Sequence, residues 1–200
     1  MSNQRSLICG VGINDADYPV YVTKNKLVNG KNTIISKWEC HFYSVWRNML
    51  LRCYNKKYQE RNRNYIGVTV CDSWLNFSNF RQWMITQDYE GKHLDKDLLS
   101  GDLYSPETCL FIDARVNYFI RDSVTRSYPK ALNGAAFDKS RNKWISNCSK
   151  AMGGVARLGR FNTELEAHLA WKSEKLKQAK ILADTLEDKR VAELLVARYQ

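Results

Sequence analysis

Three features are missing from this 200-residue sequence, and each absence excludes a class of protein. There is no run of 18 apolar residues, so no membrane-spanning helix is expected. The first ten residues, MSNQRSLICG, hold no long apolar stretch and no cleavage-site pattern, which argues against a secretory signal. The composition, with 12% aromatic residues, also lacks the signature of a disordered chain. We therefore expect a soluble, folded protein of one large domain or two small ones.

The six cysteines are widely spread, and none forms a Cys-x-x-Cys pair. Without a secretory signal, they are expected to be reduced thiols in the cytoplasm. A structural zinc site normally uses closely spaced ligand pairs, so zinc held by Cys40, His41 and distant partners is the weaker alternative. Buried, unreactive side chains are the favoured interpretation for most of them. The six are Cys9, Cys40, Cys53, Cys71, Cys109 and Cys148.

What the sequence does have is positive charge. Thirty-one Lys and Arg residues stand against 21 acidic ones, a net charge of +10. Such a field attracts polyanions, of which nucleic acid is the commonest, although a basic protein can also simply repel its own kind. Residues 130–172 carry eight basic and three acidic side chains, half of the net charge in about a fifth of the chain. This concentration favours nucleic acid as the partner.

The first 120 residues show a series of predicted elements. Residues 1–37 are expected to be loops and short strands, with a hairpin turn at Asn29-Gly30. Apolar residues at helical spacing predict an amphipathic core helix over 41–54, with Arg52 on its other face. Residues 65–71 suggest a strand. Asp72 or Ser73 is predicted to cap a helix whose aromatic stripe belongs to the core.

The next 30 residues predict the order strand, loop, strand, helix. Residues 93–99 alternate between polar and apolar side chains, which is typical of a strand. A turn leads to a second short strand at 109–112. Asp113 is positioned to cap a helix that includes Asn117.

The last 80 residues predict a linker followed by a compact module. The linker covers residues 122–131. Three strands are expected at about 134–138, 143–148 and 155–161. Thr163 and Glu166 form a capping box at the start of a helix that runs to about residue 182. A last amphipathic helix is predicted from about 186 to 199.

Five pieces of the chain carry a resemblance to a known family. They are WRNMLLRCY (46–54), YIGVTVC (65–71), WLNF (74–77), LDKD (94–97) and YSPETC (104–109). Together they resemble the HNH nucleases of phages and introns. The resemblance implies a ββα-metal core, in agreement with the predicted strand, loop, strand, helix order.

The HNH resemblance also implies a chemistry. In that family a divalent cation, Mg²⁺ or similar, stabilises charge on the scissile phosphate while a His deprotonates the attacking water. By position, Asp95 and Asn117 would be the metal ligands. Lys96 stands where the general-base His is normal, and Thr108 where an Asn normally orients it. A protonated lysine is a poor base, so His93 and Asp97 are the alternative catalytic residues.

A second resemblance begins at residue 132. Asn133-Gly134, Lys143-Trp144, LGRFNT (158–163) and a helix with Ala167, Ala170 and Trp171 are similar to the DNA-binding domain of plant ethylene-response factors, which also occurs in mobile HNH nucleases. In that family a three-stranded sheet, backed by the helix, lies in the major groove.

The second resemblance implies a DNA-facing row of Ala136, Asn147, Ser149 and Arg157. Arg157 is the best candidate for a base contact, and Asn147 would pair with adenine. Trp144 and Phe161 are expected to pack against the helix. The candidate phosphate contacts are Lys139, Arg141, Lys143, Lys150 and Arg160. The alternative interpretation is that these residues form a solvated basic surface without a binding role.

The sequence therefore predicts an α+β chain: an N-terminal segment (1–37), an HNH-like core (38–121), a linker (122–131), a DNA-binding domain (132–183) and a C-terminal helix (184–200). The expected function is metal-dependent, sequence-directed cleavage or nicking of double-stranded DNA. A DNA-binding regulator or interference protein on a decayed nuclease scaffold is the alternative. A protein-interaction role through the C-terminal helix is the third. No membrane partner is expected, and the location would be the host cytoplasm if a phage encodes the chain.

Overall fold

A computed structural model describes residues 7–99, 101–121 and 131–200. It has mixed α and β structure with small sheets and divides into two compact units, Met1–Phe111 and Ile112–Gln200. The predicted linker at 122–131 lies outside the described residues, except for Ala131. None of the helices in the described ranges is both long and apolar enough to cross a membrane.

Among its described residues, the first unit contains three α-helices, two short 3-10 helices (Arg63–Tyr65 and Asp72–Leu75) and three small sheets. Its elements are β1 (Tyr21–Val28), β2 (Lys31–Glu39), α1 (His41–Tyr54), α2 (Lys56–Arg61), β3 (Thr69–Val70), α3 (Phe77–Ile85), β4 (His93–Asp95), β5 (Leu103–Tyr104) and β6 (Leu110–Ile112), with β6 ending at the first residue of the second unit. Strand β1 pairs with β2, β3 pairs in parallel with β5, and β4 pairs with β6.

Aromatic side chains form the core of the first unit. Trp46 from α1 and Trp74 are both almost fully buried, and the indole Nε1 of Trp46 donates to the carbonyl of Trp74 at 2.7 Å. Phe77 and Phe80 from α3 pack against these two rings. The helix predicted at 41–54 and the core role of the aromatic stripe are confirmed.

The residues before the hairpin hold α3 in place. Ile13 forms a parallel bridge to Asn76. A carboxylate oxygen of Asp15 accepts from the backbone N–H of Ser78 at 2.8 Å, in the first turn of α3. The predicted cap is therefore wrong: Asp72–Leu75 is a separate 3-10 helix, and Asp15, 63 residues from Ser78, supplies the cap.

Two predicted strands are shorter than expected. In the segment 65–71 only Thr69–Val70 is a strand, because Gly67 has a φ of +86° and interrupts the extended backbone. In the segment 93–99 the strand ends at Asp95, whose side chain accepts from the backbone N–H of Leu98 at 2.9 Å. That bond turns the chain, which the alternating pattern alone does not reveal.

The second unit contains α4 (Ala114–Phe119), β7 (Ala135–Asp138), β8 (Lys143–Ser149), β9 (Val155–Phe161), α5 (Glu164–Ala183) and α6 (Lys189–Ala197). The three strands form an antiparallel sheet in the order β7-β8-β9, as predicted. The Asp113 cap of α4 and the capping box of Thr163 and Glu166 are both confirmed. The last helix begins at Lys189, three residues later than predicted, because Asp188 caps it.

Helix α5 packs on one face of the sheet. Trp171 lies directly against Gly134, where an added Cβ would stand 1.9 Å from the indole. Gly134 also has a φ of +77°, so it meets two requirements at once, a close approach and a left-handed backbone. Ala135, Ser146 and Cys148 are buried on this side of the sheet.

We expect Gly134→Ala to destabilise the protein by about 2 to 4 kcal/mol, since the methyl group adds a clash with Trp171 to the cost of positive φ. Gly153→Ala is the matched control, because its φ is +93° but nothing lies within 4 Å of the added Cβ. That control should lower the free energy of unfolding by only about 1 kcal/mol. Urea unfolding measures both; equal costs would show that the contact with Trp171 does not limit this position.

Candidate functional site

The side of the three-stranded sheet away from α5 is an exposed, basic surface, called here the outer face. Strand pairing aligns Ala136 with Ile145, Ile145 with Arg160, and Asn147 with Arg157. Residues aligned in this way project to the same side of a sheet. The outer face therefore holds Ala136, Asp138, Lys143, Ile145, Asn147, Ser149, Val155, Arg157 and Arg160.

A bulge in β9 determines which arginines reach the outer face. Arg157 and Arg160 are three residues apart, and in a regular strand they would project to opposite sides. The register shifts here: Ser146 aligns with Gly159 but Asn147 aligns with Arg157, which leaves Leu158 as the extra residue. Gly159 has a φ of +119° at this point. Both arginines consequently share one face and are exposed.

The four residues of the predicted DNA-facing row do share this face. The register also adds Lys143, Ile145 and Arg160, so two predicted phosphate contacts lie on the sheet itself. The alternation along β8 could have placed Lys143 and Ile145 on the outer face, because residues 143, 145, 147 and 149 alternate with the buried Ser146 and Cys148. Trp144 and Phe161 align with each other on the opposite side, and Trp144 contacts the ring of Phe137 at 5.2 Å.

The remaining basic residues lie at the two ends of the sheet. Lys139 and Arg141 are exposed in the turn between β7 and β8, and Lys150 is exposed in the turn between β8 and β9. From residue 134 to 161 there are six basic side chains and one carboxylate, Asp138. Asp138 accepts from Ser140 at 2.6 Å and lies 3.3 Å from Arg141. These hydrogen bonds, the one from the Ser140 hydroxyl first, lower the pKa of Asp138, which keeps the carboxylate ionised.

The predicted catalytic residues lie around the end of β4. Asp95 is 5% exposed and holds the turn through the N–H of Leu98. Lys96 is 4% exposed. Its Nζ donates to the Asp97 carboxylate at 2.5 Å and to the Gly101 carbonyl. An ammonium group held by two acceptors is suited to fastening this loop and is a poor proton acceptor.

Two tyrosine rings complete the environment of Lys96. Its Nζ lies 5.8 Å from the ring centre of Tyr65 and 5.7 Å from that of Tyr104. The guanidinium of Arg52 also lies over the ring of Tyr65, 5.9 Å from its centre, and its charge acts on Tyr104. Burial raises the pKa of Tyr104 far above its usual range, so the phenol stays neutral. Arg52 therefore belongs to this partly buried cluster. The helical spacing of α1 predicted only that Arg52 lies on the polar face of the helix.

The other predicted residues of the nuclease chemistry are more dispersed. His93 is exposed and begins β4, while Asp97 is exposed on the turn that follows. Thr108 donates to the Leu103 carbonyl at 2.7 Å and accepts from the Ser105 N–H at 3.0 Å, so it organises its own loop. Asp95 lies in the first unit and the half-buried Asn117 in the second, and their joint role as metal ligands stays a prediction.

The cysteines are free thiols, and four of the six are buried: Cys40, Cys53, Cys109 and Cys148. The preference for buried thiols is confirmed for these four, whereas Cys9 and Cys71 are half-buried. Within the described ranges, no three His, Cys, Asp or Glu side chains come together in a way that would hold a metal ion.

Comparisons with protein-family models, with curated proteins and with solved structures gave no match to this chain. The two resemblances therefore rest on the sequence pieces that carry them and stay predictions.

The buried thiols lead to a prediction for alkaline stability. Burial raises the pKa of both Cys53 and Cys109 from 9.0 to about 12. At a pH between these two pKa values, the unfolded chain has lost the thiol proton and the folded chain has kept it. Stability is therefore full below about pH 9 and falls as the pH rises toward 12, by at most about 1.4 kcal/mol per pH unit for each thiol.

Urea unfolding at about pH 8 and about pH 10.5 measures this loss. Cys109→Ala should lose less stability over the interval than the wild type, because one shifted group is gone. Cys71→Ala, which changes a half-buried thiol, is the matched control. The same pH dependence in Cys109→Ala and wild type would contradict the assignment.

Proposed function

We propose that this chain binds double-stranded DNA through the outer face of the β7–β9 sheet. The observation that carries the proposal is the alignment of Asn147 and Arg157, with Arg160 on the same exposed face, opposite α5. Six basic side chains accompany a single carboxylate between residues 134 and 161, which suits a polyanion. The dimensions also fit: three strands about 4.8 Å apart span about 10 Å, and the major groove is about 12 Å wide.

The positions divide the contacts into two kinds. Asn147 and Arg157 are neighbours across the middle of the face, where side chains reach the floor of a groove. Arginine recognises the O6 and N7 of guanine with two hydrogen bonds, and asparagine recognises the N6 and N7 of adenine. Arg160, Lys143 and the turn residues Lys139, Arg141 and Lys150 surround them and are assigned to phosphates.

For the base contact, we expect Arg157→Ala to reduce discrimination at one base-pair position by about 1 to 3 kcal/mol, while non-specific binding changes less. Selection of preferred sites from a random DNA library, followed by affinity measurements on the selected and scrambled sites, tests this. Lys180→Ala is the matched control, because Lys180 is exposed on α5, the helix that covers the other face. An equal loss on both DNAs would make Arg157 a phosphate contact.

Metal-dependent cleavage of the bound DNA is the second candidate function. It is favoured by the pairing of β4 with β6, the start of α4 directly after β6, and the position of Asp95 at the end of β4. A carboxylate oxygen is a donor that Mg²⁺ prefers, so Asp95 fits a metal ligand. The implied ion would stabilise charge on the scissile phosphate. The proton acceptor is the weak point, since Lys96 is held as an ammonium donor.

A plasmid nicking assay with and without Mg²⁺ or Mn²⁺ tests this second function. If the chain is a nuclease, Asp95→Asn should abolish nicking while DNA binding persists, because the amide keeps an oxygen for the Leu98 N–H but loses the charge. Asp102→Asn is the control, because Asp102 is exposed and the substitution also removes one negative charge; it should leave nicking intact. Salt-sensitive binding without nicking, on a plasmid and on DNA of the source element, would identify a binding protein on a nuclease-like scaffold.

The third expected role, partner binding through the C-terminal helix, is less favoured. Helix α6 packs against α5 and buries Val191, Ala192 and Leu195. Its apolar stripe is thus used inside the second unit.

A further inference from the structure

The β1–β2 hairpin exposes both of its faces. Every residue from 21 to 38 is exposed, including Leu27, Ile34 and Trp38. Asn29 and Gly30 form the turn with φ values of +51° and +73°, so the predicted hairpin turn is confirmed. A two-stranded ribbon without a covered face is only marginally stable in water. A binding partner would supply the missing contacts.

The strand register sorts the charges of the hairpin onto one face. Lys24 aligns with Ser36, Lys26 with Thr33, and Val28 with Lys31. We call this side the lysine face; its members are Val22, Lys24, Lys26, Val28, Lys31, Thr33, Ser36 and Trp38. It holds three lysines and no carboxylate. The opposite face holds one lysine, Lys37, and one carboxylate, Glu39.

Glu39 is already engaged. Lys37 lies 3.3 Å from it and Arg47 of α1 lies 3.0 Å from it. In the part of the chain that the structure describes, no carboxylate is within ion-pair distance of the lysine face. Its three ammonium groups are therefore directed at solvent, and an ammonium group binds phosphate oxygens well as a point charge.

We infer that the lysine face is a second DNA-binding surface, which contacts the phosphate backbone and is separate from the sheet of the second unit. This inference rests on the proposed DNA binding. The hydroxyl group of Ser36 lies beside Lys24 on this face and can also donate to phosphate, whereas that of Thr33 donates to the Lys31 carbonyl at 3.3 Å. A two-stranded ribbon is narrow enough for the major groove. A membrane surface fits less well, because the exposed apolar side chains are divided between both faces.

The test compares the wild type with Lys24→Gln/Lys26→Gln/Lys31→Gln. We expect the affinity for a mixed-sequence DNA duplex to fall roughly tenfold or more at low salt. The slope of log K against log salt should lose about 0.9 for each phosphate contact removed. Lys172→Gln/Lys177→Gln/Lys180→Gln on α5 is the control, with the same change in net charge on exposed positions. It should stay close to the wild type.

Photo-crosslinking tests the orientation of the hairpin. A photoreactive residue at Ser36 lies on the lysine face, whereas one at Asn32 lies opposite, aligned with Leu27. We expect DNA crosslinks from Ser36 and few from Asn32. Equal yields would overturn the assignment of the face, even if the affinity data agree.

The remaining outcomes separate the hairpin from the sheet. If the hairpin variant binds DNA like the control, the inference is overturned and the proposed function stands. If Lys143→Gln/Arg157→Gln/Arg160→Gln binds like the wild type and only the hairpin variant is weakened, the sheet proposal fails and the hairpin stands. If the wild type binds no DNA, or if the lysine substitutions weaken binding only to phosphatidylserine vesicles, the inference is overturned.

Discussion

The bulge at Leu158 is the constraint on which the chemistry of the outer face depends. One extra residue in β9 reverses the side to which the strand projects, so Arg157 and Arg160 lie together instead of on opposite faces. Without the bulge, one of the two arginines would be directed at α5, on the side where Ser146 and Cys148 are buried. An unpaired guanidinium there would be costly. A single backbone irregularity thus serves both packing and surface charge.

A buried lysine, Lys175 of helix α5, lies in the core of the second unit. Lys175 is buried, and its Nζ lies 3.7 Å from the ring centre of Phe119 and donates to the Phe119 carbonyl at 2.6 Å. That carbonyl ends α4 and has no partner within its own helix. The ring of Tyr199 lies 5.3 Å from the same ammonium. A lysine therefore joins α4, α5 and the C-terminal residues, and cation–π contacts replace the hydration that burial removes.

The sequence predicted elements better than contacts. Helix α1, the three strands of the second unit and the capping box follow from local patterns, because periodicity and caps act over a few residues. The Asp15 cap of α3 and the cage around Lys175 join residues 63 and 56 positions apart, which no local pattern contains. The outer face was predicted in part: the row with Asn147 and Arg157 came from a resemblance, whereas the place of Arg160 needed the register of β9.

Binding and cleavage make unequal demands on such a chain. Affinity for a polyanion sums many weak contacts, so a basic surface tolerates the loss or movement of one side chain. Cleavage needs a proton acceptor at one position, and a displacement of about 1 Å can reduce the rate by about two orders of magnitude. Lys96 occupies the position implied for that acceptor but is fastened to Asp97 and Gly101 between two tyrosine rings. The basic groups of the outer face are exposed and numerous, while Lys96, at the position that the resemblance implies for the proton acceptor, is buried and holds a loop. These side chains therefore favour the proposed binding over the proposed cleavage.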